Sequence, residues 1–213
     1  MRILYLLAML LIGCGAANAQ TDDVYKPRMT KSEAVAYLKA NHLALDPSNL
    51  GTLVFNGEVE GVEALVVAGV DLKTTSEMMP KSPLELAVLN CGHGAHATTA
   101  DTLRMIDLFL GAGVDPNHEG MAGLTALIMA GRDGCPPVVI KRLLAGGAKL
   151  EKRTPQGYTA LSLALLLAKL DTAEALIEAG ARLSPEATKK LLDGTHDDNP
   201  RLIELVKRAA AGK

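Results

Sequence analysis

The sequence predicts an all-α solenoid of about four helix-turn-helix repeats flanked by capping helices. Three observations carry that expectation. The first is a phrase that returns along the chain as Gly69-Val70-Asp71, Gly113-Val114-Asp115, Gly147-Ala148-Lys149 and Gly180-Ala181-Arg182, at spacings of 44, 34 and 33 residues. A period near 33 is that of a helix-turn-helix unit with a connecting loop. The second is a phrase upstream of three of these, Ser82-Pro83-Leu84-Glu85-Leu86-Ala87, Thr125-Ala126-Leu127-Ile128-Met129-Ala130 and Thr159-Ala160-Leu161-Ser162-Leu163-Ala164. The third is composition: aromatics are 3% of 213 residues, with two Phe, four Tyr and no Trp. A core built from Leu, Ile, Val and Ala at close range favours helix on helix.

The chain opens with Met1, Arg2 and an apolar run from Ile3 to Ile12, about the length of a secretory h-region and well short of the ~20 residues that span a bilayer. Ala17-Asn18-Ala19 has the small-x-small form that signal peptidase accepts. Residues 1–19 are therefore expected to be a signal peptide, with a periplasmic chain starting at Gln20. Leu11-Ile12-Gly13-Cys14 resembles a bacterial lipobox, and the alternative is lipidation at Cys14 and a membrane-anchored lipoprotein. Both routes place the folded part outside the cytosol. Residues 20–29 are expected to be a flexible segment.

From residue 30 onward, the elements announce themselves through their caps. Thr30-x-x-Glu33 is a capping box that opens an N-terminal cap helix within 30–45, running to about Ala40. Asp46-Pro47 starts a degenerate first helix to Asn56, and Val59 to Ala68 fits a second, completing a repeat at about 46–73. Ser82, Thr125 and Thr159 are good N-caps for the repeats at about 80–115, 123–149 and 157–183, and Pro83 sits where a missing N–H costs nothing. The Gly after each second helix supplies the left-handed backbone that stops it. Ser184-Pro185-Glu186 and Asn199-Pro200 open C-terminal cap helices over 184–211, the last with Leu202, Ile203, Leu205 and Val206 inward and Arg201, Glu204, Lys207 and Arg208 outward. Leu161 to Leu167 looks membrane-like, but Lys169 and Asp171 end it too early, and the repeat register explains it as a helix buried on several sides between neighbours.

Together these phrases resemble the ankyrin repeat over about residues 50–183. Its usual wording is a Gly, one residue, Thr-Pro-Leu-His, a small-residue helix, a Leu-rich helix and Gly-Ala-Asp. Gly157-Tyr158-Thr159 through Gly180-Ala181 is the best unit. The family's His is Glu85, Ile128 or Ser162 here, so the bonds that His makes to neighbouring loops must be absent or rebuilt.

The spacing of 44 exceeds 33 by 11, and the excess falls between the two helices of the second unit, at Cys91 to Asp101. Extra loop length there is cheap in entropy. Cys91 lies nine residues after Ser82 and Cys135 ten after Thr125. Equivalent turns of adjacent repeats lie side by side, so the two thiols can meet, and a structural disulfide is the favoured reading in an oxidising compartment. The alternative is a metal- or redox-handling insertion formed by Cys91, His93 and His96 with Cys135 as fourth ligand. That spacing matches no standard template.

No G-x-S-x-G, H-E-x-x-H, P-loop or dinucleotide fingerprint occurs, so an enzyme is not expected, nor is a cofactor. His118, after Asp115-Pro116-Asn117, reads as a solvated loop residue, and the acids Asp193, Asp197 and Asp198 as a solvated run. A net charge of −2, or −3 once Arg2 is removed, argues against nucleic acid as a partner. The resemblance implies a non-enzymatic module, here expected to be a monomer in the envelope acting as an immunity or helper protein, whose partner touches the loop tips and the inner face of the first helices. The tips by register are 74–81, 115–122 and 150–157. Met78, Met79, Lys81, Met121, Leu124, Arg153 and Tyr158 are the expected contact residues, because Tyr and adaptable Met favour interfaces. The competing reading is that the apolar ones cover each other, tip against tip, and that Lys152 and Arg153 are a solvated pair.

Overall fold

A computed structural model describes residues 26–73, 82–91, 97–194 and 199–212, and among these the regular structure is helical, without strands. The helices are α1 Lys31–Ala40, α2 Pro47–Asn56, α3 Val59–Ala68, α4 Pro83–Leu89, α5 Thr99–Gly111, α6 Ala126–Asp133, α7 Pro137–Ala145, α8 Ala160–Leu166, α9 Leu170–Glu178, α10 Pro185–Gly194 and α11 Pro200–Ala211. They form two rows. The first helices of the pairs touch in the order α2, α4, α6, α8, α10, and the second helices in the order α3, α5, α7, α9, α11, with α1 extending this second row beyond α3. Each pair therefore contacts its neighbours, the one-dimensional arrangement of a solenoid.

Local chemistry starts these helices where the sequence places their caps. Thr30 Oγ1 accepts from the Glu33 N–H at 3.3 Å while Glu33 accepts from the Thr30 N–H at 2.7 Å. Asp46 receives the Ser48 N–H at 2.8 Å. Ser82, Thr125 and Thr159 receive N–H groups three residues on, at 3.2, 3.3 and 3.1 Å, each such cap contributing about 1 kcal/mol. At the far end of α3, Gly69 takes φ 99° and donates its N–H back to Leu65 and Val66, a conformation that side chains with a Cβ resist.

The core runs the length of the stack between the rows. Leu50, Leu65, Leu84, Ile106, Phe109, Leu127, Ile140 and Leu161 are completely or almost completely buried, each contributing about 1.5–3 kcal/mol through removal of apolar surface from water. Small residues set the spacing. A Cβ on Gly131 would meet the Ala160 carbonyl oxygen at 2.5 Å and its Cα at 3.0 Å, so α6 and α8 approach backbone to backbone there.

Each end of the stack is closed differently. At the C-terminal end α10 and α11 continue both rows as a fifth pair, and Arg201 and Arg208 reach across to Asp171 and Glu174 on α9 at 2.7 to 3.1 Å. At the N-terminal end α1 covers α3, and the strand of chain before it is pinned. Buried Glu63 accepts from the Arg28 and Met29 N–H groups and from Arg104, which also donates to the Lys26 carbonyl at 3.1 Å. Residues 26–29, part of a segment expected to be flexible, are held in this way; residues 1–25, with the signal peptide and Cys14, lie outside the described residues.

Helix α8 is buried on several sides and open on one. Leu161, Ala164 and Leu165 are inside, but Leu166 and Leu167 are 49% and 47% exposed. The reason is geometric: α6, α9, α10 and α11 pack against α8, and the residues at its C-terminal end are left open. No helix among the described residues is long and apolar enough to cross a membrane.

Candidate partner-binding surface

The loop tips between repeats are cross-linked by hydrogen bonds that join one unit to the next. Asn117 donates its amide to the Gly147 carbonyl at 3.0 Å and accepts the Lys149 N–H at 2.8 Å. Glu151 accepts the Arg182 N–H at 2.9 Å. Lys152, expected to be solvated beside Arg153, instead pairs with Glu119 at 2.5 Å across the same boundary. Loops held this way are set before any partner arrives, so less conformational freedom is lost on binding.

A further contact joins α4 to the loop of the next boundary. Glu85, buried at the third position of α4, has a carboxylate oxygen 3.2 Å from His118 Nδ1. A Cβ at Gly120 would run into that carboxylate, so the loop closes over it. His118 is therefore no free loop residue, although its ring stays about half exposed. The reason is that the loop curls back onto the preceding helix and brings the ring to the carboxylate. Burial pushes the Glu85 carboxyl above its ordinary value of 4.5, with the His118 contact opposing that rise. Because the folded chain holds this proton more tightly than the unfolded chain, the associated stability is present below 4.5 and is lost as pH rises through the higher folded value. Denaturant titrations from pH 7 down to 4.5 should therefore show wild type gaining on Glu85→Gln. A gap that stays constant or moves the other way would refute this.

The expected contact residues fall into three groups. Met78, Met79 and Lys81 lie outside the described residues. Met121 stands in a single 3-10 turn, Met121–Gly123, with more than half its surface exposed, while Leu124 is half-buried against the core. Arg153 and Tyr158 come together in a cleft of about 330 Å³ between α8 and α10. Arg153 Nη1 donates to the Gly157 carbonyl at 3.3 Å. The Tyr158 hydroxyl accepts from Lys190 Nζ at 3.1 Å, and the same ammonium lies 5.2 Å from the ring centroid. Leu166, Ala187 and Leu191 complete the apolar part of the lining.

Leu166, Lys190 and Leu191 are the members that sequence reasoning missed. Tyr158, Ser162 and Leu166 are spaced by four, the interval of one helix face, and that spacing was the available signal. The partner residues on α10 carry none, because they belong to a helix read as a cap.

Cys91 and Cys135 lie at disulfide distance, with Cα atoms 4.9 Å apart. Cys135 is fully buried, and its carbonyl accepts from the Thr172 hydroxyl at 2.8 Å. His93 and His96, needed for the metal alternative, lie outside the described residues, and among the described ones no group of three His, Cys, Asp or Glu is placed to hold a metal ion.

Comparison with protein families gives a match to the model for ankyrin repeats, three copies, over residues 95–187. No curated protein matches the chain. The matched region contains α5 to α9 and the first turn of α10, and with them the cleft wall that bears Tyr158 and Leu166.

Proposed function

Because the chain belongs to the ankyrin-repeat family, whose repeats generally mediate protein–protein interaction, we propose that it is a non-enzymatic module that holds a partner protein against its loop tips and the open face of its first helices. The observation that carries this reading is the set of exposed apolar side chains, Met121, Leu166 and Leu167, together with the half-buried Tyr158, on the loops and first-row helices of a cross-linked stack. Solvation alone would put polar residues there, and aromatic and Met side chains are favoured where proteins meet. The reading extends to export through residues 1–19 into the periplasm, with lipidation at Cys14 as the alternative, and to a Cys91–Cys135 bond formed in that oxidising compartment.

Tyr158→Ala and Met121→Ala are expected to weaken capture of the partner from envelope extract by about tenfold each, the size of an interface contact worth about 1.4 kcal/mol. Urea midpoints should stay within those of wild type, since both side chains stand at the surface. Binding unchanged in both variants would eliminate this surface.

A further inference from the structure

We propose that the cleft between α8 and α10 receives an extended segment of a partner protein in which an aliphatic side chain stands next to a carboxylate. This deepens the binding-module reading and rests on it. The floor is apolar: Leu166 is half exposed although four helices pack against α8, and Ala187, Leu191 and the Tyr158 ring continue the surface. A volume of about 330 Å³ is at the small end of pockets that take ligands, which suits side chains of a segment more than a folded knob.

The rim supplies the charge preference. Lys190 Nζ is bonded to a neutral phenol and lies over its ring, and no carboxylate among the described residues forms an ion pair with it. Arg153 donates to a carbonyl. The one acid in the lining, Glu186, stands in the first turn of α10, where its own backbone N–H and then Ser184 hold its carboxyl below the ordinary range, with Arg153 adding a smaller pull. Glu186 therefore stays ionised, and the rim carries two cations against one carboxylate, a net positive charge above an apolar floor. A carboxylate placed there gains an ion pair at a site that the ligand itself shields from water.

The test uses the full folded chain, labelled for amide NMR, and two capped peptides, Gly-Leu-Asp-Leu-Gly and its neutral twin Gly-Leu-Asn-Leu-Gly. The acidic peptide should shift the amides of Tyr158, Leu166 and Lys190 with a saturating dissociation constant below about 10 mM, and the neutral twin should bind about tenfold more weakly. Lys190→Gln should remove the difference between the peptides, and Leu166→Ser should weaken both; each replaces an exposed side chain, so folding is preserved. Equal binding of the two peptides, shifts confined to other surfaces, no saturation, or a self-associating chain whose contact covers this cleft would each overturn the proposal. If Lys190→Gln with Leu166→Ser leaves partner capture intact, the cleft is refuted and the module reading stands. If wild type captures nothing, the module reading itself falls.

Discussion

Phe109→Ala is expected to lower the unfolding free energy by about 3–5 kcal/mol. Among the described residues Phe109 is the largest fully buried side chain, carried by α5 in the second row, which packs against α3, α4 and α7. In a chain with two Phe residues and no Trp the neighbouring Leu and Ile side chains have little spare volume with which to refill the hole. Each repeat relies on its interfaces with the next, so weakening one pair also weakens the coupling of the stack. A urea titration followed by far-UV circular dichroism should therefore show an earlier midpoint together with a smaller slope, as the N-terminal pairs melt ahead of the rest. A control at the surface, Leu166→Ala, should stay within about 0.5 kcal/mol. A loss below about 1 kcal/mol for Phe109→Ala would contradict the burial on which the expectation stands.

The second large effect belongs to the cysteines. A bond between Cys91 and Cys135 closes a loop with a sequence separation of 44 residues, and the chain-entropy model assigns such a closure about 4 kcal/mol, with measured values for native bridges commonly about 2–4. Adding reductant to the chain, or replacing both residues by Ser, should therefore lower the stability by a similar amount. Titration of thiols in guanidinium before reduction should find neither Cys91 nor Cys135 free. Two reactive thiols, with a urea midpoint indifferent to reductant, would reject the bond.

Much of the helical framework was legible because its signals act within four residues. The capping boxes and N-caps at Thr30, Asp46, Ser82, Thr125, Thr159 and Asn199 each depend on a side chain reaching an N–H two or three positions away. The glycines that end helices are equally local. At the loop tips, the repeat register alone places Arg153 within a tip and Tyr158 just before the Thr159 cap, and it marks Met121 as an apolar residue at a tip. Which residues of the Leu161 to Leu167 run stay open was not legible: an apolar run states that burial is available, and the number of neighbours decides how much of the run receives it.

The tertiary structure decided everything that depends on which residue of one repeat faces which residue of the next. Glu85 and His118 are 33 positions apart, Asn117 and Lys149 are 32, and Tyr158 and Lys190 are 32. In an unstacked chain these pairs share no local geometry. The sequence by itself determined that short helices would form, where they begin and end, and that each carries an apolar face it cannot cover alone. Stacking then selected the partners, because side chains one repeat apart meet only when those faces are buried together. The Glu85–His118 contact, the pinned Lys26 to Met29 segment and the cleft lined by Tyr158, Leu166 and Lys190 all come from that step.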